Sequence, residues 1–309
     1  MDGVIVSVLV LGAGAVGSTV TRAFLGSGET VTVGTRSATQ LPGAAAVPLD
    51  ASDAGTLTRA AEGCSTIVVC TNPPYHRWRS DWPPIVDAVI RAARQTGSDI
   101  VMIGNLYSYG TASMPMRETT PEQPAESKGE VRRDLWETLR AATKRGDVRA
   151  VEVRASDYFG PGAGADAHLG TRFFRPILAS KRSWAVGNPA LPHSWAYLPD
   201  LASTVVAASA YTGEWGRVWH VPAATDLSRT AICRQVNERY GVRGSISGIP
   251  SSLLKGIGAV NPVMREVAAS SYQFTAPFLS DASETERELD VRSTDWETAL
   301  DDTVAFYRS

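Results

Sequence analysis

Along the first half of the chain, short apolar runs alternate with segments of helical period. Val4 to Leu11 is almost continuously apolar, the pattern of a strand buried on both faces. It leads through Gly12-Ala13-Gly14-Ala15-Val16-Gly17 into a predicted helix, Ser18 to Leu25. Further strands are predicted at Thr30–Val33, Ala44–Leu49, Thr66–Thr71, Asp99–Ile103 and Val148–Arg154. Helices are predicted between them at Ala54–Ala61, Pro84–Arg94 and Gly129–Lys144; the last repeats Val131, Leu135, Leu139 and Ala142 at helical spacing. Strands separated by helices give an α/β fold, a Rossmann doubly wound parallel sheet. Its ligands bind beyond the carboxyl ends of the strands.

The second half is less regular. Gly160 to Gly170 is rich in glycine and alanine and reads as a mobile loop. A strand is predicted at Arg217–Val221, with helices at Leu227–Tyr240, Pro250–Leu254 and Pro262–Phe274. The expected division is a nucleotide-binding Rossmann domain over residues 1–160 and a smaller, mainly substrate-binding C-terminal region over 161–309. Some segments of the second part are expected to return to the sheet.

Composition narrows the classes. The 309 residues are 43% hydrophobic and 20% charged, as in an ordinary soluble globular chain. A net charge of −2 without a basic block removes the footprint of a nucleic-acid binder. The N-terminal apolar run is too short to span a bilayer and lacks a basic leader, so no membrane association and a cytoplasmic location are expected. Cys64, Cys70 and Cys233, and His76, His168, His193 and His220, show no metal-ligand spacing.

The strand ends carry the chemistry. G-x-G-x-x-G between a strand and a helix is the dinucleotide fingerprint: Gly12 for the turn, Gly14 for approach of a pyrophosphate, Gly17 for close helix packing. About 20 residues on, where an acidic residue would hold the ribose of NAD, stands Arg36. A guanidinium there pairs with a 2′-phosphate, so NADP(H) is preferred, with NAD(H) as the alternative. Arg36 is otherwise a solvated surface arginine. Asp50 either accepts from the adenine amino group or caps the next helix.

By these residues the chain resembles the short-chain dehydrogenase/reductase superfamily, in its extended branch of NAD(P)-dependent epimerases and dehydratases. Carrying the resemblance are the glycine fingerprint, Asp50, Tyr109-Gly110, Arg154-Ala155-Ser156-Asp157-Tyr158-Phe159-Gly160-Pro161-Gly162 and Trp195-Ala196-Tyr197-Leu198-Pro199-Asp200-Leu201-Ala202. The resemblance covers essentially the whole chain. It implies a cofactor site of Gly12, Gly14, Ala15, Val16, Gly17, Thr35, Arg36, Asp50, Ala51, Thr71, Asn72, Asn105, Arg133 and Ser156. It also implies a small-molecule substrate, and a homodimer through helices equivalent to Pro84–Arg94 and Gly129–Lys144.

Three departures from the family pattern stand out. Leu11 occupies the first position of the branch's usual G-x-x-G-x-x-G. Asn105 stands where the catalytic Ser or Thr is expected, four residues before Tyr109. The Tyr-x-x-x-Lys pair, aligned on Glu118, Pro121 and Glu137, falls on Gly129 and Arg133. Glycine transfers no proton and arginine keeps its own. Asn105, Tyr107, Lys128 and Arg133 are therefore the catalytic candidates, with Tyr107 or Lys128 supplying the proton. The expected activity is an atypical NADP(H)-dependent reductase or epimerase. A non-redox cyclase or isomerase, or a redox-inactive nucleotide-binding sensor, is the alternative. Phe173, Trp184, His193, Trp195 and Tyr272 are candidates to line the substrate pocket, or else to pack the smaller core.

Overall fold

Ser7–Leu11 form β1, the centre of the sheet, with four of its five residues fully buried. A computed structural model describes residues 6–249 and 262–309. The expected helix at Pro250–Leu254 and the first two residues of the expected opening strand lie outside them. After β1 come α1 (Ala15–Gly26), β2 (Thr30–Thr35), β3 (Ala45–Pro48), α2 (Ala54–Ala61), β4 (Thr66–Val69), α3 (Trp78–Thr96) and β5 (Asp99–Asn105). Then follow α4 (Ser127–Lys144), β6 (Ala150–Ala155), β7 (Tyr158–Phe159), α5 (Thr171–Leu178), β8 (Arg182–Val186), β9 (Trp195–Tyr197) and α6 (Leu198–Ser209). The remainder is β10 (Val218–His220), β11 (Ala223–Thr225), α7 (Arg229–Tyr240), β12 (Ser245–Ile249), α8 (Pro262–Ala269), α9 (Ser283–Leu289) and α10 (Trp296–Arg308).

Seven parallel strands make the main sheet, in the order β10-β6-β5-β4-β1-β2-β3. The order reverses between β1 and β4, which opens the crevice that such sheets use for ligands. One apolar layer lies under α2, α3 and α4, and the other under α1 and α6. The returning strand β10 extends the sheet beyond residue 160. Two small sheets, β11-β9-β7 and β12-β8, cover the carboxyl end with a core of their own. Asp200, buried at the start of α6, accepts hydrogen bonds from the backbone N–H and hydroxyl of Thr294 at 2.8 and 2.5 Å, which ties the chain just before α10 to α6.

Helix α3 starts at Trp78, six residues ahead of the expected Pro84, and holds Pro83 and Pro84 inside it. Trp78 and Trp82 are buried and pull this first stretch onto the sheet, while both prolines face solvent. The carbonyls they leave unbonded thus meet water. Gly160 to Gly170 is a folded turn rather than a free loop. Thr171 N–H donates to Gly164 O, Tyr307 donates to Ala163 O, and Ala163 and Ala167 are buried.

Candidate active site

At the end of β1 the chain turns through Gly12, whose φ of +103° suits glycine. A Cβ on Gly17 would lie 2.1 Å from Gly12 O, so only glycine lets α1 begin this close to the turn. A Cβ on Gly14 would meet nothing within 4 Å: open space lies over the backbone there. The N-terminus of α1 has no side-chain cap and no acidic residue in its first turn, which leaves the N–H groups at Ala15 and Val16 facing that space with the helix's positive end. This arrangement fits a pyrophosphate.

Around the loop, Thr35 ends β2 and its hydroxyl accepts from Thr39 N–H at 2.8 Å. Arg36 is exposed and, among the described residues, has no salt bridge. It lies within electrostatic reach of Asp50, which is exposed and accepts from the N–H and hydroxyl of Ser52 at 3.0 and 2.7 Å. Those hydrogen bonds, with the Arg36 charge, hold the Asp50 carboxyl below its usual range. Asp53, rather than Asp50, caps α2. Ala51, Thr71 and Asn72 follow the ends of β3 and β4 on the same edge. A Cβ on Gly12 would lie 3.0 Å from Thr71. Ser156, just past β6, is 7% exposed and its hydroxyl has no partner among the described residues, an orphan at the carboxyl edge that a ligand amide or hydroxyl would satisfy. These residues fit a dinucleotide.

Asn105 is the last residue of β5, and its side-chain oxygen accepts from Tyr107 N–H at 3.1 Å, leaving its amide N–H₂ for another acceptor. Beside it, the register pairs Asn105 with Ala155, which places Ser156 and Asp157 at the same level of the sheet. Tyr107 is half-buried, with its ring 6.3 Å from that of Trp78. Burial, together with nearby Tyr75 and Asp157, pushes its phenol well above the ordinary tyrosine range, so it holds its proton.

The structure corrects the expected register on α4. Arg133 is on the outer face, paired with its neighbour Asp134 at 2.8 Å, and does not reach the cofactor edge. The buried pair is Lys128 and Arg132, with the three-residue spacing of Tyr-x-x-x-Lys but one position earlier. The cause is Gly129. A Cβ there would lie 2.4 Å from Tyr107 O and 2.9 Å from Pro124 Cβ, so this position is closed to any side chain by contact with the turn after β5. Glu126 caps the helix, accepting from the N–H groups of Lys128 and Gly129. That cap fixes which residues face the sheet.

Lys128 is 2% exposed. Its ammonium donates to Glu266 O at 2.7 Å and Ser270 Oγ at 2.9 Å, and lies 4.9 Å from the centre of the Tyr75 ring. Burial lowers its pKa, against the raising influence of Glu126 and Glu266. Arg132 donates to Ile103 O at 3.0 Å, and its guanidinium lies 4.7 and 4.6 Å from the rings of Trp78 and Trp82. Beneath it runs a buried ionic layer. Glu152 occupies the space that Gly104 leaves by lacking a Cβ, and pairs with Arg154 at 2.7 Å; Arg154 also pairs with Glu122.

The pocket-lining expectations divide. Phe173 and Trp195 are sealed in the smaller core, where the Trp195 indole donates to Leu227 O at 2.9 Å. Trp184 is 58% exposed on β8, beside Arg182. An isolated aromatic and a packed one look alike in a sequence, so composition could not separate these three. His193 lies beside Asp157, and Tyr272 packs against Phe278. His193 stacks on Phe274 and Phe278, and its Nε2 is 2.8 Å from Asp157 Oδ2, close enough for an ion pair but without hydrogen-bond geometry. The buried hydroxyl of Tyr272 has no hydrogen-bond partner among the described residues. Missed by sequence reasoning were Tyr75, Arg132 and Asp157. Of these Asp157 was visible, one residue past the chosen Ser156.

No helix among the described residues is long and apolar enough to cross a membrane, and no group of three potential metal ligands occurs among them. The sequence model of the NAD dependent epimerase/dehydratase family matches residues 8–221. No curated protein sequence matches the chain. Among solved structures it is similar to a dTDP-glucose 4,6-dehydratase double mutant from Streptomyces venezuelae with NAD bound, at 19% identity and a TM-score of 0.78, covering 98% of this chain and 97% of that one. It is also similar to a UDP-N-acetylglucosamine 4-epimerase from Bacillus cereus, at 14% identity and a TM-score of 0.78, over 98% and 97% of the two chains. A mutant UDP-glucuronic acid 4-epimerase from Bacillus cereus, in complex with a fluorinated UDP-sugar and NAD, gives 15% identity and a TM-score of 0.79 over 98% and 99%.

Proposed function

The chain belongs to the NAD-dependent epimerase/dehydratase family, and we propose that it is an atypical NADP(H)-dependent reductase or epimerase of a small organic molecule. In this reading Lys128 does the proton handling that the family gives to tyrosine. The observation that carries the reading is the buried Lys128–Arg132 pair beside Asn105, on the same edge as an intact dinucleotide loop. A bound nicotinamide supplies hydride transfer.

The chain's own residues supply the rest. The N–H groups at Ala15 and Val16 hold the pyrophosphate, and Arg36 pairs with a 2′-phosphate. The Asn105 amide orients the substrate oxygen. Lys128 gives a proton to that oxygen or takes one from it, and its lowered pKa brings the amine closer to working pH. Tyr107 keeps its proton and serves as a fixed hydrogen-bond donor. Arg132 stays charged and braces the end of β5 through Ile103.

The test is a spectrophotometric screen of small carbonyl, imine and alcohol substrates, followed by the best of them with Lys128→Met. Loss of about 10²–10⁴-fold in kcat, with cofactor affinity retained, is expected. Unchanged kcat would overturn the role of Lys128.

A further inference from the structure

Acceptors alone meet the Lys128 amine. Among the described residues, three polar atoms close on its Nζ: Glu266 O at 2.7 Å, Ser270 Oγ at 2.9 Å and Glu266 Oε2 at 3.6 Å. The carbonyl and the carboxylate can only accept. The Ser270 hydroxyl has already spent its proton, donating to Glu266 O at 2.9 Å, so toward the amine it accepts as well. An ammonium has three N–H donors and matches this set. A neutral amine has two, and would turn its lone pair on an acceptor. The rings of Tyr75 and Tyr107, centred 4.9 and 5.9 Å from Nζ, also favour a cation. Burial lowers the amine's pKa, but the charges of Glu126, which caps the same helix, and Glu266 raise it.

The three contacts are not equally replaceable. Glu266 O and Ser270 Oγ lie in one turn at the end of α8 and are joined by their own hydrogen bond, so they move only together. The Glu266 carboxylate is the longest contact. Its side chain is 20% exposed, against 2% for Lys128, and it can turn to water by side-chain rotation alone. A substrate oxygen entering in its place takes the third N–H and leaves the other two engaged.

We propose that Glu266 and Ser270 are positioning residues that hold Lys128 as an ammonium, so that it enters the reaction as a proton donor, and that the substrate oxygen displaces the Glu266 carboxylate. This rests on the proposed function and narrows it to one direction. An N–H bond of Lys128 breaks as an O–H bond forms on the substrate. The electron pair for the adjacent carbon comes as the hydride already assigned to the nicotinamide. The amine is left neutral and takes a proton back from water once the product has gone. The resting enzyme is thus set to protonate a carbonyl oxygen rather than to deprotonate an alcohol.

The full chain has four lysines, Lys128, Lys144, Lys181 and Lys255, so lysine labelled with nitrogen-15 gives a spectrum in which Lys128→Met identifies the Nζ signal. In the wild type that signal is expected to be an ammonium's at neutral pH. On raising the pH its titration midpoint should come earlier in Glu266→Gln, because a charge that favours the ammonium is gone. With the best substrate of the screen, Glu266→Gln should lower KM, since no carboxylate competes for the third N–H, and move the alkaline limb of kcat to lower pH. Ser270→Ala should cut kcat about tenfold or more, the scale of one lost hydrogen bond to a charged group, with NADPH affinity unchanged. A neutral wild-type amine at neutral pH, or a midpoint that Glu266→Gln leaves in place, would overturn the positioning role. Should a variant fail to fold, the wild-type spectrum decides the matter. Undiminished kcat in Lys128→Met would remove the proton donor itself while the Nζ titration stood, so failure of the proposed function and failure of the positioning role are distinguishable.

Discussion

A Cβ on Gly129 would lie 2.4 Å from the carbonyl oxygen of Tyr107, which fixes how α4 meets the turn after β5. Glycine here is a packing requirement. Gly129→Ala forces the helix and the turn apart and should destabilise the fold by about 1–3 kcal/mol, the usual cost of overpacking. Denaturant unfolding checks this, and a neutral substitution would show that the turn can yield.

The two neighbouring arginines should respond oppositely. Arg132 is 6% exposed, stacked on two tryptophans and bonded to Ile103 O. Arg132→Ala strips that contact and weakens the compensation of buried Glu152, so a loss of about 3 kcal/mol is expected. Arg133 is paired near the surface with its neighbour Asp134, and Arg133→Ala should change stability by less than about 0.5 kcal/mol. Equal effects would contradict the placement of the buried pair.

The sheet was legible because its strands are apolar runs and its first turn is glycine-rich; both signals are local. Lys128 was among the candidates, but the Tyr-x-x-x-Lys pair fell one residue late, on Gly129 and Arg133, because nothing in the helix's own sequence reports the Tyr107 carbonyl that excludes a side chain at 129. That contact joins positions 22 residues apart (129 − 107) and exists only once the turn has folded. Asp157 was given no role for a related reason: an acidic residue after a strand has no periodic signature, and its contact with His193 Nε2 at 2.8 Å joins segments far apart in the chain.

The aromatic candidates separate by burial. Phe173 and Trp195 are core residues, so alanine at either should cost about 3–5 kcal/mol in unfolding experiments. Trp184 is 58% exposed, and Trp184→Ala should stay within about 0.5 kcal/mol.

Stability should fall with acid before most carboxylates titrate. His220 donates from Nδ1 to Asp281 O, which leaves Nε2 to accept from Tyr109, and burial lowers its pKa to about 3. His168 is lowered to about 4. Above pH 6.5 both are neutral in folded and unfolded chains and contribute no pH dependence. Below it the unfolded chain takes up protons that the folded one refuses, so stability drops by about 1.4 kcal/mol per pH unit for each group. Urea unfolding at successive pH values between 6.5 and 4 reads this slope, and His220→Gln should remove one group's share. A flat profile would contradict the neutral, buried histidines.

The most direct measurement is fluorescence titration of the protein with NADPH and NADH, with Arg36→Ala in parallel. Saturable binding is expected, tighter for NADPH, with the preference falling about tenfold in Arg36→Ala as the 2′-phosphate loses its guanidinium. If neither nucleotide binds, the glycine turn and the bare N-terminus of α1 hold no cofactor, and an NADP(H)-dependent activity is contradicted.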